Sequence, residues 1–500
     1  MNAIFGFSGF VGSHLTTKFQ YTHLYNTTNI EKSKNSTFDI IHICCIPSVK
    51  WKANKFPEKD FETIESIKDI FNTIKANKVI LISTIDVYDK INNEDNEDSK
   101  INYSNNHTYG KNRFLFEKFI LETFNNVNII RLPALFGRGL KKNIIYDLLN
   151  NNNVHKIDKT SKFQWYNLEW LKEDIDYVIR NNIKICNFFT EPLETFEILK
   201  LFKYDYNNNP SFHMIYNTKS KYFDNGYIRS KYEVLKSIKE FVKIKNIPSN
   251  FCISNIANCL QNNLQFYNIL KHYGFKNIEL ALTKYGDWNS ILNTDLITKE
   301  IETIKQFDLE TVSIQSITYT LKHNIFSEDK KLLLAHMKKV VDLCITNNIK
   351  NIVFGCPKNR IITKEEDKII FINFFNEIGN YIAERNLVIS IENNSKRYGC
   401  NFLNTISEVG DIVREIDNKN IKMMIDVGNC EMEKDNLNDI FKSKDIINHI
   451  HCSEPFMKGI KSSKIDFRKI LEKIEYKKII SFEFLTENFE RLNSNIKNIM

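Results

Sequence analysis

LVISIEN, residues 387–393, is an apolar run that ends on polar side chains, and the same pattern returns in IKMMIDVG (421–428), INHIHCSE (447–454) and IISFEFL (479–485). Amphipathic stretches such as DKKLLLAHMKKVVDLCITNN (329–348) lie between the runs and carry apolar residues at helical spacing. A second doubly wound sheet would also fit this alternation, but the number of runs, eight in all, favours a closed (β/α)8 TIM barrel. The four earlier runs are FCISNIA (251–257), NIELALT (277–283), TVSIQSIT (311–318) and NIVFGCP (351–357).

The length of 500 residues exceeds what one hydrophobic core usually serves, so two domains are expected. Hydrophobic residues make up 42% and charged residues 26% of the chain, which excludes a disordered or fibrous protein. The helical segment SKYEVLKSIKEFVKIK (230–245) leads into the second half. We therefore predict one domain over residues 1–247 and a second over residues 248–500.

The charge pattern bears on partners and location. The net charge is +8, from 69 basic and 61 acidic residues, and no long basic tract is present, so no nucleic-acid partner is expected. The sequence shows no signal peptide and no apolar run long enough to span a membrane, which predicts a cytoplasmic protein without membrane contact. The ten cysteines form no C-x-x-C pair, and we expect buried free thiols.

The first half begins with NAIFGFSGFVGSHL (2–15), where three glycines repeat as G-x-x-G-x-x-G between a strand and a helix. Later strand-like runs alternate with helices, which predicts a Rossmann-type, doubly wound parallel sheet. Such a turn lets the backbone approach a pyrophosphate, although a merely tight structural turn has the same glycines. The residues predicted to bind NAD or NADP are Gly6, Gly9, Phe10, Val11 and Gly12. No clear acidic residue ends the next strand, so the choice between NAD and NADP stays open.

Four motifs of the first half resemble the extended short-chain dehydrogenase/reductase family, which contains sugar-nucleotide epimerases and dehydratases. The motifs are GFSGFVGSHL (6–15), LISTIDVY (81–88), YGKNRFLFEKFI (109–120) and RLPALFGRGL (131–140).

This resemblance implies catalytic roles for Thr84 and Tyr109, and it places Arg113 where the family has lysine. A phenol with a reference pKa of about 10 needs a nearby cation to become acidic enough for proton transfer. Arginine keeps the charge but presents a planar fork, so the hydrogen bonds of lysine to a nicotinamide ribose are not necessarily reproduced. The other interpretation of Tyr109 and Arg113 is a helix start with a solvated charge. The acidic pair of the dehydratase branch is absent, which argues against dehydration.

Four polar residues end consecutive strands of the predicted barrel, where active sites of such barrels form. They are Glu392, Asp426, His451 and Glu483. Three carboxylates and one imidazole suit Mn²⁺, Mg²⁺, Co²⁺ or Zn²⁺, because a divalent cation removes the repulsion among buried carboxylates. Each residue taken alone is equally compatible with a strand-end hydrogen bonder; the set of four predicts a metal site.

The motifs ISIEN, MMIDVGN, HIHCSE and SFEFL resemble the xylose isomerase-like TIM-barrel superfamily of sugar-phosphate isomerases and epimerases. The resemblance implies that Glu392 and Glu483 also exchange protons on opposite faces of a substrate, α to its carbonyl. Asn429 and Met457 stand where ketose epimerases of this group often have His and Arg, so a different substrate is expected. The superfamily's DNA repair enzymes need a larger histidine-rich set than this chain provides.

Further polar residues near the strand ends either line the pocket or satisfy core and surface polarity: Glu279, Asn394, Lys396 and Glu454. His449 shares a face with His451 by the two-residue period of a strand, which makes it a deeper barrel residue or a partner of the metal ligands.

The two halves together predict a bifunctional carbohydrate enzyme. An NAD(P)-dependent oxidoreductase or epimerase domain would precede a metal-dependent isomerase or epimerase barrel, with a small-molecule sugar or sugar nucleotide as substrate. The alternative is that only the barrel is catalytic and the first half is a non-catalytic nucleotide-sugar binding or regulatory module. Homo-oligomerisation stays open.

Overall fold

The computed structural model describes residues 1–91, 94–202, 213–244, 246–286, 292–319, 321–436, 438–460, 472 and 474–500. The chain separates into two compact units, Met1–Lys245 and Asn246–Met500. Within the described residues, no helix combines the length and the apolar composition that crossing a bilayer requires.

The first unit contains ten strands and eight helices among its described residues. The strands are β1 Asn2–Phe5, β2 His23–Tyr25, β3 Thr37–Ile43, β4 Lys75–Thr84, β5 Val127–Leu132, β6 Ala134–Phe136, β7 Lys162–Phe163, β8 Trp165–Asn167, β9 Ile185–Asn187 and β10 Leu193–Glu194. The helices are α1 Phe10–Thr16, α2 Lys50–Lys55, α3 Pro57–Phe71, α4 Thr108–Thr123, α5 Ile144–Leu149, α6 Leu171–Arg180, α7 Thr195–Phe202 and α8 Lys231–Val242.

Six of these strands form one parallel sheet in the order β2-β1-β3-β4-β5-β9. The chain runs from β1 to β2 on one side and then crosses to β3 on the other, so the carboxyl ends of β1 and β3 lie side by side where the winding changes direction. In open α/β sheets ligands bind at such a point. Two small sheets, β6 with β8 and β7 with β10, complete the unit.

Aromatic side chains fill the core beneath one face of this sheet. The ring of Phe5 lies 4.9 Å from that of Tyr25 and 4.9 Å from that of Phe71, and the buried Phe116 belongs to the same cluster. Because Phe71 ends α3 and Phe116 lies in α4, these two helices are fixed against the sheet, and α4 carries Tyr109 at its first turn.

The second unit has eight strands and, among its described residues, eight helices. The strands are β11 Phe251–Ser254, β12 Asn277–Ala281, β13 Glu310–Gln315, β14 Asn351–Phe354, β15 Val388–Glu392, β16 Ile421–Asp426, β17 Ile447–Ser453 and β18 Ile480–Glu483. The helices are α9 Asn263–Tyr273, α10 Thr294–Lys305, α11 Lys330–Thr346, α12 Asp367–Ile382, α13 Ile406–Ile416, α14 Val427–Glu433, α15 Asp439–Ser443 and α16 Phe489–Ile499.

Strands β11 to β18 form a closed parallel barrel in which β18 pairs with β11. The predicted eight-stranded barrel is therefore confirmed. Every strand-like run quoted for this half contributes one strand. The alternation of each strand sends one set of residues inward and the other toward the surrounding helices.

The interior of the barrel is layered with polar side chains instead of the bulky aliphatic residues common in such barrels. In the deepest layer, Asn448 Nδ2 donates to Asn351 Oδ1 at 3.0 Å and to Ser390 Oγ at 3.1 Å. The next layer is centred on Glu279, which is fully buried. The outermost layer, at the carboxyl ends of the strands, contains the predicted metal ligands.

Candidate metal centre

The barrel brings all four predicted ligands to one place around the imidazole of His451. The Nδ1 atom of this ring lies 3.3 Å from Glu483 Oε2, 3.9 Å from Glu392 Oε1 and 4.0 Å from Asp426 Oδ2. Ligand atoms of Glu392, Asp426 and His451 all lie within 4.8 Å of one another. Because the four side chains come from consecutive strands, they form a connected arc on one side of the barrel mouth.

Glu279 on β12 fixes the orientation of the His451 ring. Its Oε1 lies 2.9 Å from His451 Nε2, and its Oε2 lies 2.9 Å from His449 Nε2. Gln315 Nε2 and Ser481 Oγ each donate to Oε1 at 3.0 Å, so the carboxylate is held on several sides. A carboxylate at Nε2 favours the tautomer that leaves Nδ1 unprotonated, and Nδ1 is the atom that faces the ligand carboxylates.

Asp426 is held by the last residue of β17 and by the start of its own helix. Ser453 Oγ lies 2.8 Å from both carboxylate oxygens, and the backbone N–H of Asn429 donates to Oδ1 at 2.6 Å. Asp426 thus caps α14, where its negative charge meets the positive end of the helix dipole. The backbone of Gly428 closes this arrangement by donating to Ser453 Oγ at 3.0 Å.

Glu392 lies against the backbone of Gly355, at the end of β14. A Cβ atom added to Gly355 would be only 2.0 Å from Glu392 Oε2, so a side chain at that position and the present carboxylate position exclude each other. The Glu392 side chain is 12% exposed, and the other three ligands are more deeply buried. Glu392 is therefore the ligand most open to a substrate.

The carboxylates respond electrostatically to their confinement. Burial raises the pKa of Glu392 to about 8, and the charge of Asp426 adds to this shift. Burial, together with Glu483, raises the pKa of Asp426 to about 6. Burial alone would lower the pKa of His451, but Glu279 and Glu483 hold it well above its usual value. The group therefore holds protons that a bound cation would displace.

The residues present fit a divalent metal. His451 Nδ1 is buried, and the nearest carboxylate oxygen is Glu483 Oε2 at 3.3 Å. Three buried carboxylates that converge on one imidazole repel one another unless protons or a cation lie between them. One imidazole nitrogen and carboxylate oxygens form the borderline-hard donor set that Mn²⁺, Mg²⁺, Co²⁺ and Zn²⁺ accept.

The remaining polar residues that the sequence suggested near the mouth take different positions. Asn394 donates to the backbone of its neighbour Asn393 at 3.1 Å, and Lys396 is exposed. Tyr398 contacts the half-exposed ring of Phe456, with ring centroids 6.2 Å apart. Burial and the charge of Asp426 raise the pKa of Tyr398 to about 12, which indicates that its hydroxyl lies near the ligand carboxylates.

In the first unit, two of the three glycines are required by contacts within the protein. Gly6 has a φ of +96°, and an added Cβ would lie 2.5 Å from the carbonyl oxygen of Cys44. A Cβ at Gly12 would lie 2.0 Å from the carbonyl oxygen of Gly6. Gly9 is less confined, since its nearest neighbour would be that same oxygen at 3.3 Å. Phe10 and Val11 begin α1 directly after this turn.

Thr84 lies near Tyr109, and its side chain acts to lower the pKa of that phenol. Arg113 lies over the Tyr109 ring, 4.0 Å from its centroid, yet burial still raises the pKa of Tyr109 to about 12. The guanidinium of Arg113 forms a buried pair with Asp60, with Nη1 2.5 Å from Oδ2 and Nη2 3.0 Å from Oδ1. The backbone carbonyl oxygen of Pro47 also accepts a hydrogen bond from Nη2. The fork of Arg113 is thus engaged by the protein itself.

The family model of the xylose isomerase-like TIM barrel matches residues 267–498. No curated protein sequence matches the chain.

Several solved structures resemble the chain over about half of its length. The 3-keto-D-glucoside 4-epimerase of E. coli shares 16% identity with a TM-score of 0.42, covering 50% of this chain and 97% of its own. The D-psicose 3-epimerase of Clostridium cellulolyticum H10 shares 18% with a TM-score of 0.41, covering 50% and 89%. A family 2 AP endonuclease of Brucella melitensis shares 13% with a TM-score of 0.42, covering 50% and 97%. At these values the likenesses carry no argument about activity.

Sequence reasoning missed residues that support the ligands from other strands and loops. The sequence led to no prediction for Ser453 or Gly355, and to none for Arg360, which is fully buried in the loop after β14. A glycine directly after an apolar strand was the available signal for Gly355. The other contacts depend on which loops meet at the barrel mouth, and no local pattern encodes that.

Proposed function

We propose that the barrel is a divalent-metal-dependent isomerase or epimerase that acts on a small sugar or sugar phosphate by proton transfer α to a carbonyl. The observation that carries the proposal is the convergence of the carboxylates of Glu392, Asp426 and Glu483 on the buried Nδ1 of His451. The match of residues 267–498 to the xylose isomerase-like barrel family supports it.

The four residues divide the work. Glu392, Asp426, His451 and Glu483 would hold the metal, which supplies Lewis-acid polarisation of a carbonyl when bound. Glu392 and Glu483 are the candidates for moving the proton. Glu392 is the most exposed of the four side chains and so is best placed to exchange a proton with a substrate. Burial of the ligands keeps bulk water from competing for the proton.

Metal analysis tests the ligand set. We expect purified wild-type protein to bind about one Mn²⁺ or related ion per chain, and we expect His451→Ala and Glu483→Gln to lose at least tenfold in affinity. Glu310→Gln is the matched control, because Glu310 is exposed at the opposite, amino end of β13. Unchanged metal content in both ligand variants would refute the site.

Proton transfer is tested separately. The metal-loaded protein is incubated in D₂O with a panel of ketoses, sugar acids and sugar phosphates, and NMR detects deuterium at carbon. Glu392→Gln should abolish any exchange that the wild type shows. A protein that binds metal but exchanges no substrate proton anywhere in the panel would argue against the isomerase assignment.

For residues 1–247 we infer a Rossmann-type domain that binds NAD or NADP through the turn of Gly6, Gly9 and Gly12. Support comes from the position of this turn at the end of β1, where the winding of the sheet reverses. A bound cofactor would supply hydride chemistry.

The pairing of Arg113 with Asp60 favours a binding module over an oxidoreductase for this half. The guanidinium is not available to a nicotinamide ribose, and Tyr109 is not made acidic. Fluorescence titration with NADH and NADPH tests cofactor binding, with Gly9→Glu expected to abolish it. Absorbance change on adding sugar nucleotides tests turnover, and turnover in the wild type would overturn the binding-module assignment.

A further inference from the structure

Arg360 is a buried cation at the barrel mouth, and the described part of the chain gives its side chain no hydrogen-bond partner. It follows the short turn after β14, is fully buried, and forms no hydrogen bond through Nε, Nη1 or Nη2 among the described residues. No carboxylate oxygen of a described residue lies within 4.0 Å of its guanidinium nitrogens. A guanidinium is always charged in a protein, so burial without an anion is unfavourable.

The position of Arg360 is built by the surrounding loops. Asn359, the preceding residue, accepts a hydrogen bond from Thr318 Oγ1 at 2.8 Å and donates to the carbonyl oxygens of Leu321 and His323 at 3.2 and 2.6 Å. Cys356 begins the turn in the left-handed region, with a φ of +45°. Such strain in a residue other than glycine persists only where the surroundings enforce it. The turn therefore holds the guanidinium in a defined place.

This same loop forms the wall behind the most exposed ligand. Gly355 lies against the carboxylate of Glu392, and the charge of Arg360 favours the ionised form of that carboxylate. With a divalent ion bound, three ligand carboxylates leave one net negative charge, which the guanidinium balances. An incoming oxyanion would thus find an unused fork of N–H donors in the loop behind Glu392.

We propose that Arg360 is a substrate-binding residue that receives an oxyanion, a carboxylate or a phosphate, so that the substrate is a sugar acid or a sugar phosphate. The proposal rests on the proposed function of the barrel and narrows its substrate class. Burial of the guanidinium strengthens its attraction for an oxyanion, because little water competes. The bidentate geometry of arginine suits both carboxylate and phosphate.

Anion binding to the full-length protein tests this role. Calorimetric titrations use inorganic phosphate in one arm and D-gluconate in the other, each with and without saturating Mn²⁺. We expect saturable binding of at least one anion to the wild type and at least tenfold weaker binding to Arg360→Met. Arg397→Met is the control, since Arg397 is an exposed arginine in the loop after β15, and its removal should change anion affinity less than threefold.

Arg360→Lys separates recognition from charge balance and serves if the methionine variant does not fold. Lysine keeps the charge but loses the fork, so recognition by Arg360 predicts weaker anion binding with metal affinity retained. Equal anion affinity in the wild type and in Arg360→Lys would overturn the proposal. The proposal would also be overturned if the wild type binds Mn²⁺ but neither anion. If the wild type does not bind Mn²⁺ at all, the metal site is refuted. The anion titrations without metal then decide the role of Arg360.

Discussion

Glu279 is predicted to control metal affinity without touching the metal. The substitution Glu279→Gln keeps the shape of the side chain but replaces one acceptor oxygen with an NH₂ group. That group must face one of the two histidine Nε2 atoms that now lie 2.9 Å from the carboxylate. Where it faces His451, the ring proton moves to Nδ1, and the lone pair that would bind the metal is lost.

The magnitude follows from this geometry. If the amide oxygen faces His451, only the negative charge behind the ring is lost, and the loss of metal affinity should lie at the lower end of the range given below. If the NH₂ group faces His451, the tautomer is wrong and the upper end applies. Partners of this kind typically change metal affinity by about 10- to 100-fold, or roughly 1.4 to 2.8 kcal/mol.

Calorimetric titration of chelator-treated protein with Mn²⁺ measures the effect. Ser481→Ala is a useful companion, because it removes one hydrogen bond to the same carboxylate but leaves the charge in place, and it should change affinity less than threefold. Circular dichroism checks that each variant folds. The reasoning is refuted if Glu279→Gln binds Mn²⁺ within threefold of the wild type while His451→Ala loses binding.

Three further predictions concern the ligands themselves. Gly355→Ala should weaken Mn²⁺ binding at least tenfold, since its Cβ would lie 2.0 Å from Glu392 Oε2; an unchanged titration would contradict the packing. Gly428→Ala should also weaken it, because its Cβ would lie 2.5 Å from Ser453 Oγ, the group that holds Asp426. The metal-free protein should lose stability as pH rises from about 5 to 8, because folded Glu392, with a pKa of about 8, keeps a proton that the unfolded chain releases. The free energy of unfolding, measured with urea at each pH, should fall less steeply with rising pH in Glu392→Gln than in the wild type, by at most about 1.4 kcal/mol per pH unit. The same pH dependence in both proteins would exclude the proton uptake.

The barrel was predictable from the sequence because each strand carries its own signal. In IKMMIDVG and INHIHCSE the apolar residues mark the strand and the final polar residues mark its carboxyl end, and the observed strands end at Asp426 and Ser453. A closed parallel barrel then brings consecutive carboxyl ends together without further information. This is why the four candidate ligands could be named before their geometry was known.

The first unit shows where local pattern reasoning stops. The spacing of Tyr109 and Arg113, four residues apart on a helix, correctly predicted that the cation lies near the phenol. The partner that engages the guanidinium is Asp60, which lies 53 positions away on α3. Only the packing of α3 against α4 brings the two together, and so the sequence alone could not distinguish a catalytic arginine from one paired within the fold.

The same limit applies inside the barrel, where the polar layers depend on one another. Glu279 holds the histidine of the outer layer and the histidine of its own layer at once, so the orientation of a candidate metal ligand on β17 is set by a residue on β12, three strands away around the barrel. A polar interior of this kind gives up hydrophobic burial, and its carboxylates hold protons when no cation is present. Metal binding would release those protons and remove the repulsion in one step. Metal affinity, barrel stability and the pH dependence of both should therefore change together in every variant that alters this layer, whereas Arg360→Lys should change anion affinity with little effect on metal affinity.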